Sequence, residues 1–205
     1  MTTKNPDQTR AKILEAAFYA FFRQGFTATS LDAILAETGV TKGALYHHFA
    51  NKDELGFAVI DEVIGEYIRR TWIRPLNDTS DPVGTLIGTI EHNRANMQAE
   101  AAKLGCPLNS LTQEMAARND AFRVHAAALY EEWRVAIANA FRRGREIGTV
   151  RDDVDGEAAA TFIIAVHQGL SGTMKSSGGT DRLDSALPVF LTFLKSLRPT
   201  SDVTD

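Results

Sequence analysis

The sequence predicts an all-α protein, and three observations support that fold class. Every long periodic segment of the 205-residue chain places its apolar residues at helical spacing. No stretch shows the sustained two-residue alternation that indicates a half-buried strand. Capping residues, glycines and prolines then mark where helices begin and end. We therefore expect about nine helices, with a three-helix N-terminal domain over residues 1–52 and a helical domain over residues 53–205.

Four helices are predicted in the N-terminal part of the chain. Gly25 ends the first, and Thr29 is expected to cap the second. Thr41 caps the third, and Asn51 caps the fourth, where Glu54 completes a capping box. The expected ranges are residues 7–24, 30–38, 42–48 and a long helix from 52 that Pro75 stops.

A turn-rich break over residues 77–82 separates this part from the rest of the chain. Apolar residues at helical spacing then predict five more helices. Their expected ranges are residues 83–104, 107–117, 119–147, 156–175 and 182–197. The Ser-Ser-Gly-Gly stretch at 176–179 is typical of a flexible connection between the last two.

Composition argues against several classes of protein. The hydrophobic fraction of 44% and the charged fraction of 23% are ordinary for a globular protein, and no apolar run approaches the ~18 residues of a membrane span. The first eight residues are polar and lack the apolar core of a secretory signal, so we expect a cytoplasmic protein. Cys106, the one cysteine, cannot form a disulfide within the chain.

Charge is distributed unevenly along the chain. The net charge is −4, but residues 1–52 hold six basic and four acidic side chains, so the remainder carries −6. A basic N-terminal part followed by an acidic remainder is compatible with a protein that contacts phosphates through one face only.

Residues 30–48 have the spacing of a helix-turn-helix, in which the second helix can enter a major groove. Gly39 suits the left-handed conformation that the turn requires. The outer face of the second helix would then carry small, polar, aromatic and basic side chains, which reach phosphates and base edges. These residues are Thr41, Lys42, Gly43, Ala44, Tyr46, His47 and His48. A solvated helix surface is the alternative interpretation.

Residues 29–49, TSLDAILAETGVTKGALYHHF, followed by NKDEL at 51–55, resemble the signature of TetR-type repressors. The resemblance covers residues 9–56, about a quarter of the chain. It implies operator DNA as partner and a protein that is not an enzyme, with no cofactor. By resemblance, the DNA contacts on the recognition helix are Thr41, Lys42, Gly43, Tyr46 and His47. Thr29 and Lys52 are expected to bind phosphates from neighbouring helix starts.

A lone recognition helix buries too little surface for operator affinity, which implies a two-fold dimer. The last two predicted helices carry apolar stripes, and the corresponding helices of TetR-type repressors form a four-helix dimer interface. The expected interface residues are Phe162, Val166, Leu170, Leu187, Phe190, Leu191 and Leu194. The alternative is that both stripes pack within one subunit.

The middle helices carry aromatic and Met side chains that can enclose an apolar effector pocket. Candidate effector contacts are His92, Met115, His125, Trp133 and His167, each of which could instead be structural. The histidines lack a local zinc-ligand spacing, so no metal is expected.

Cys106 lies between a helix stop at Gly105 and a helix start at Pro107, where it would act as the cap. Helix-terminal amides would lower the pKa of its thiol and raise its reactivity if the sulfur is reachable; the alternative is an inert, buried cysteine. The Gly-Cys junction resembles TetR-type repressors that respond to electrophiles or oxidants, in which a lysine late in the penultimate helix, here Lys175, partners the sulfur. Residues 105–115 also resemble members that sense small organic acids or other metabolites.

These features together predict a repressor that is released from a palindromic operator by a small effector or by modification of Cys106. Three alternatives stay open: a regulator with a noncovalent ligand and a structural Cys106, a transcriptional activator, and an architectural DNA-binding protein. An enzyme is not expected, because the sequence has no phosphate-binding glycine loop, nucleophile elbow or zinc-protease helix.

Overall fold

A computed structural model describes residues 5–199, and all regular secondary structure in that range is helical, which confirms the all-α class. The first three helices are α1 (Pro6–Gln24), α2 (Leu31–Thr38) and α3 (Lys42–His48). Helical turns then run from residue 52 to 77, here called α4. The remaining helices are α5 (Pro82–Ala95), α6 (Ala99–Leu104), α7 (Pro107–Met115), α8 (Asp120–Glu146), α9 (Gly156–Ser177) and α10 (Asp181–Ser196).

The helix α4 passes through Pro75, although the sequence predicted that this proline would stop it. Two stretches of α4, Val59–Ile64 and Arg69–Ile73, have the wider π-helical turn. Pro75 lies in the first turn of the Arg74–Asn77 segment that follows. The backbone stays right-handed helical at Ile73 and Arg74, with ψ of −55° and −41°, so the proline removes one hydrogen bond without ending the helix. The helix therefore continues to Asn77.

Two further local predictions were wrong. Ser30 caps α2 by accepting a hydrogen bond from the Ala33 amide, whereas Thr29 is buried and donates its hydroxyl to the carbonyl oxygen of Gly25. The helix predicted over 83–104 is interrupted after Ala95, where the Asn96 side chain donates to the carbonyl oxygen of His92 at 2.8 Å. A side-chain amide that binds the last turn competes with further helix and so ends α5 there.

The chain forms two compact units. The first unit contains the described residues up to Tyr67 together with Pro107–Leu129, and the second contains Ile68–Cys106 together with the described residues from Tyr130 onward. Helices α4 and α8 contribute to both. Packing does not report which residues bind DNA, so the functional division between residues 52 and 53 stays a prediction. Among the described residues, no helix is long and apolar enough to cross a membrane.

Candidate DNA-binding and effector sites

The helix-turn-helix in the first unit is built from local signals. Gly39 adopts the left-handed conformation, with φ of 64°, and its amide donates to the carbonyl oxygen of Leu35 at 2.8 Å. Thr41 then caps α3 by accepting from the Ala44 amide. Leu45 is fully buried on the inner face of α3. The pair of helices is therefore held on one side and leaves the other side of α3 exposed.

That exposed side carries the residues predicted to contact DNA. Thr41, Lys42, Gly43 and His47 are exposed, and Tyr46 keeps 46% of its surface accessible. A Cβ added at Gly43 would meet no atom within 4 Å, so the backbone of α3 is open to close approach there. The face matches the prediction in geometry, while DNA contact itself stays a prediction.

The two predicted phosphate contacts have other partners in this structure. Thr29 is only 2% exposed. The Lys52 ammonium donates to the carbonyl oxygens of Thr29, at 2.6 Å, and Thr27, and it lies 4.5 Å from the centre of the Phe26 ring. Both residues brace the turn between α1 and α2, here called the α1–α2 turn (residues 25–30). Lys52 would have to leave these acceptors to reach a phosphate.

Glu114, which the sequence analysis did not single out, binds the same turn. Its carboxylate accepts hydrogen bonds from the backbone amides of Phe26, at 2.8 Å, and Thr27, at 2.7 Å. Gly25 has φ of 86°, a conformation that other residues rarely adopt, and a Cβ there would lie 3.0 Å from the carboxylate, so this position favours glycine. Partial burial raises the pKa of Glu114, but the hydrogen bonds from Thr27 and Phe26 outweigh it, and the pKa is lowered. Glu114 is 88 and 87 positions from Phe26 and Thr27 in the sequence, which explains why no local signal predicted this contact.

Two candidate effector residues also belong to the first unit. The sulfur of Met115 accepts a hydrogen bond from the Thr27 hydroxyl at 3.8 Å, and Met115 is buried. His125 stacks on Phe57, with ring centres 4.6 Å apart, and its Nδ1 lies 2.9 Å from the Asp61 carboxylate. Both side chains are engaged in structural contacts of this unit.

The second unit contains a small cavity, here called the aromatic cavity, with a volume of about 60 Å3. Trp72 and His167 both line it, and their ring centres are 4.7 Å apart. Burial lowers the pKa of His167 to about 4, which leaves the imidazole uncharged at pH 7. Of the predicted effector contacts, His167 is the one that lines this cavity.

Trp133 and His92 belong to the second unit but do not line the aromatic cavity. Trp133 is 1% exposed and packs against both Trp72 and His167, and its indole nitrogen has no hydrogen-bond acceptor among the described residues. His92 is exposed and neighbours the side chain of Asn96. Within residues 5–199 no three His, Cys, Asp or Glu side chains group in a way that could hold a metal ion.

The junction that carries Cys106 packs against α9. Helix α6 ends at Gly105, with φ of 73°, and α7 starts at Pro107, as the sequence predicted. A Cβ at Gly105 would lie 2.9 Å from the backbone oxygen of Ser171 and 3.4 Å from Cβ of Lys175. Cys106 itself is half-buried. The fold therefore brings the junction beside Lys175, the lysine that the resemblance to electrophile-responsive members implies as a partner of the sulfur.

The predicted dimer residues divide between the surface and the interior of the second unit. Phe162 is 48% exposed, whereas Phe190 and Leu194 are buried in the subunit's own core. Leu170 and Leu187 line the aromatic cavity, and Val166 and Leu191 are half-buried. Val189, which the sequence analysis did not include, is 72% exposed. Part of the predicted stripe on α10 thus faces inward, because helical periodicity does not identify which neighbour covers an apolar face.

Family models match most of the described chain. Residues 13–59 match the model of the bacterial regulatory proteins of the tetR family. Residues 82–190, slightly more than half of the chain, match the Tetracyclin repressor-like C-terminal domain. The chain belongs to the TetR family. Members of this family are DNA-binding transcriptional regulators and not enzymes, and homodimers that respond to ligands are typical of it.

Curated relatives agree with the TetR assignment along most of their length. The HTH-type transcriptional regulator TtgR of Pseudomonas putida is 30% identical over 174 residues, which cover 82% of this chain and 81% of that protein. The HTH-type transcriptional repressor DhaR of Mycobacterium sp. strain GP1 is 26% identical over 180 residues, covering 88% and 89%. The similarity therefore extends well beyond the helix-turn-helix.

Solved structures of TetR-type regulators show the same fold. Regulatory protein TetR from Rhodobacter sphaeroides is 28% identical, with a TM-score of 0.77 over 89% of this chain and 96% of that one. A TetR transcriptional regulator from Chloroflexus aurantiacus is 25% identical, with a TM-score of 0.82 over 96% and 98%.

Proposed function

We propose that this chain is a homodimeric repressor of the bacterial cytoplasm that leaves a palindromic operator when a small effector binds or Cys106 is modified. The observation that carries the proposal is the exposed face of α3, which brings Lys42, Tyr46 and His47 to one surface beside the open backbone of Gly43. Cationic and aromatic side chains on a recognition helix serve phosphate contact and base readout.

Substitutions on this face test operator binding. Lys42→Ala should weaken binding about tenfold and reduce its salt dependence, because a phosphate contact would be lost. The melting temperature should stay unchanged. The Lys42 side chain is exposed, and its ion pair with Asp32, at 3.7 Å between two exposed groups, contributes little to stability. Lys195→Ala, an exposed lysine on α10, is the matched control and should bind normally. A large fall in melting temperature for Lys42→Ala would contradict the assigned face.

Dimerisation is proposed through the outer faces of α9 and α10, where Phe162 and Val189 expose apolar surface. Val189→Glu should shift the protein toward monomer in analytical ultracentrifugation and weaken operator binding, because each half-site needs its own head. Val124→Glu changes an equally apolar residue that is 57% exposed on α8, and it should remain dimeric. If both variants stay dimeric, the interface lies elsewhere.

Release is proposed to pass along α7. This helix begins one residue after Cys106, and its last turn holds the α1–α2 turn through Glu114 and Met115. A change at the junction would shift α7 and with it the turn that precedes α2. The equilibrium between two separations of the dimer's two DNA-binding domains would then shift, provided that the effector binds one of these conformations more tightly.

An operator titration at fixed salt separates the two routes of release. Binding is measured on DNA from upstream of the gene, before and after stoichiometric N-ethylmaleimide, with Cys106→Ser alongside. Release of the wild type but not of the variant supports a thiol switch. Tight binding in every case favours the second candidate, a noncovalent effector in the aromatic cavity with a structural Cys106. Failure to bind any upstream DNA specifically would contradict the repressor proposal.

A further inference from the structure

The aromatic cavity is small, and most of its wall is apolar. A volume of about 60 Å3 has room for a few water molecules or for a small organic molecule. Trp72, Met174, Leu183 and Phe190 contribute apolar surface. Such a wall favours an occupant that is itself largely apolar.

The charge in the cavity wall is already compensated. Arg94 is the one charged residue among the described residues that line it, and its guanidinium binds the Asp184 carboxylate at 2.5 and 2.7 Å and the Thr180 hydroxyl at 3.2 Å. His167 is uncharged at neutral pH because burial lowers its pKa to about 4. An anion that entered this cavity would lose its hydration but would find no unpaired positive charge to bind. Burial of an ion without such a partner is unfavourable.

A few polar groups remain to orient a neutral ligand. Asn93, His167 and Ser171 are the uncharged polar residues that line the cavity. The Ser171 hydroxyl donates to the backbone oxygen of His167 at 2.9 Å, which leaves its oxygen as an acceptor. An Asn side-chain amide can both donate and accept hydrogen bonds, and a neutral imidazole has one donor and one acceptor nitrogen. One carbonyl or hydroxyl group on a ligand would satisfy this set.

We propose that the aromatic cavity binds a small, neutral organic molecule with one carbonyl or hydroxyl group, in preference to a carboxylate of the same size. The regulatory consequence rests on the proposed repressor function, whereas the binding preference does not. Ser171 lines the cavity, and its carbonyl oxygen would lie 2.9 Å from a Cβ added at Gly105, so an occupant would touch the part of α9 that faces the Cys106 junction.

Butan-2-one and propionate test the preference directly, because they have the same number of non-hydrogen atoms and nearly the same shape. Trp72 and Trp133 are the two tryptophans of the chain, and both belong to this cluster, so their indole N–H signals in heteronuclear NMR report its occupancy. We expect saturable shifts with butan-2-one and a Kd at least about tenfold weaker for propionate. An efficiency of about −0.3 kcal/mol per non-hydrogen atom would give a ligand of this size a Kd of about 100 mM.

Asp184→Asn provides the decisive variant. Removal of this carboxylate releases the positive charge of Arg94, so propionate should bind about tenfold more tightly while the Kd of butan-2-one changes by less than about twofold. Asp181→Asn alters the net charge equally in the same helical turn, but Arg94 binds Asp184 and not this residue. It should leave both ligands unchanged.

Two results would overturn the inference: propionate that binds the wild type as tightly as butan-2-one, or no binding of either below about 100 mM. These measurements contain no DNA, so they are independent of the repressor proposal. If butan-2-one binds but does not weaken operator binding, the preference stands and the release mechanism is wrong.

Discussion

The two compact units are stabilised by different kinds of contact. In the first unit, polar side chains hold the backbone around the helix-turn-helix, as when Glu114 and Lys52 bind opposite kinds of backbone group in the α1–α2 turn. In the second unit, Trp72, Trp133 and His167 form an aromatic cluster beside a cavity, and the Trp133 indole nitrogen has no acceptor among the described residues. Polar contacts thus fix the backbone of the first unit, whereas packed rings in the second unit leave a cavity beside them.

The largest expected effect is at a tightly packed glycine of the first unit. A Cβ at Gly56 would lie 2.6 Å from Phe122 and 2.8 Å from Phe26, so Gly56→Ala should lower the free energy of unfolding by about 2–3 kcal/mol in urea titration. Gly88→Ala is the control in the second unit, where no atom lies within 4 Å and alanine should stabilise α5 by about 0.5–1 kcal/mol. If Gly56→Ala and Gly88→Ala changed the free energy of unfolding equally, the two glycines would not differ in how tightly they are packed.

As the pH falls, the second unit should lose stability at a higher pH than the first unit does. Because burial lowers the pKa of His167 from 6.5 to about 4, the unfolded chain binds the proton first as the pH falls. The free energy of unfolding should drop by up to about 2 kcal/mol between pH 7 and 5, somewhat less because part of His167 remains accessible. The lowered pKa of Glu114 acts at lower pH, since its contribution is present above its unfolded value of 4.5 and is lost as the pH falls through the folded value.

Tryptophan fluorescence reports this order, since both tryptophans are in the second unit, and far-UV circular dichroism reports the whole chain. His167→Phe should abolish the pH dependence between 7 and 5, while His92→Gln, at an exposed histidine of the same unit, should keep it. An unchanged profile in His167→Phe would show that another group is responsible.

Loss of the Glu114 charge should have a smaller effect, confined to the first unit. Glu114→Gln keeps the shape but weakens the two hydrogen bonds from Phe26 and Thr27, so unfolding should become easier by about 1–2 kcal/mol. Operator affinity should fall with it, because the α1–α2 turn would no longer hold α2 in place. Glu131→Gln removes only an exposed contact with Arg134 and should leave both measurements unchanged.

The smallest expected change in stability is at the exposed glycine of α3. Gly43→Ala should stabilise the helix by about 0.5–1 kcal/mol, because no atom lies within 4 Å of the added methyl group. Operator affinity should nevertheless fall in a salt-controlled titration, since the methyl group would stand between α3 and the DNA. Gly88→Ala should show the same gain in stability with normal binding. Normal binding by Gly43→Ala would mean that α3 does not approach DNA at this residue.

Much of the helix-turn-helix and its neighbouring helices could be predicted, because the residues that cap and end these helices act locally. The caps at Thr41 and Asn51 and the left-handed Gly39 each act within four residues of their partners, and the structure confirms all three. The wrong prediction at Thr29 also concerned near neighbours. Thr29 and Ser30 are adjacent hydroxyl residues that could each cap α2, and because Thr29 is buried, Ser30 is the cap. The DNA contacts themselves stay predictions.

The sequence by itself determined the all-α class, the helix-turn-helix and the helix boundary at Gly105, because capping, turn conformation and helical period depend on near neighbours. Only the tertiary structure decided that Glu114 binds the α1–α2 turn, that His167 lines the aromatic cavity, and that Leu194 is buried while Val189 is exposed. A helical stripe shows that a face is apolar, but the element that covers it is set by contacts between residues far apart in the chain.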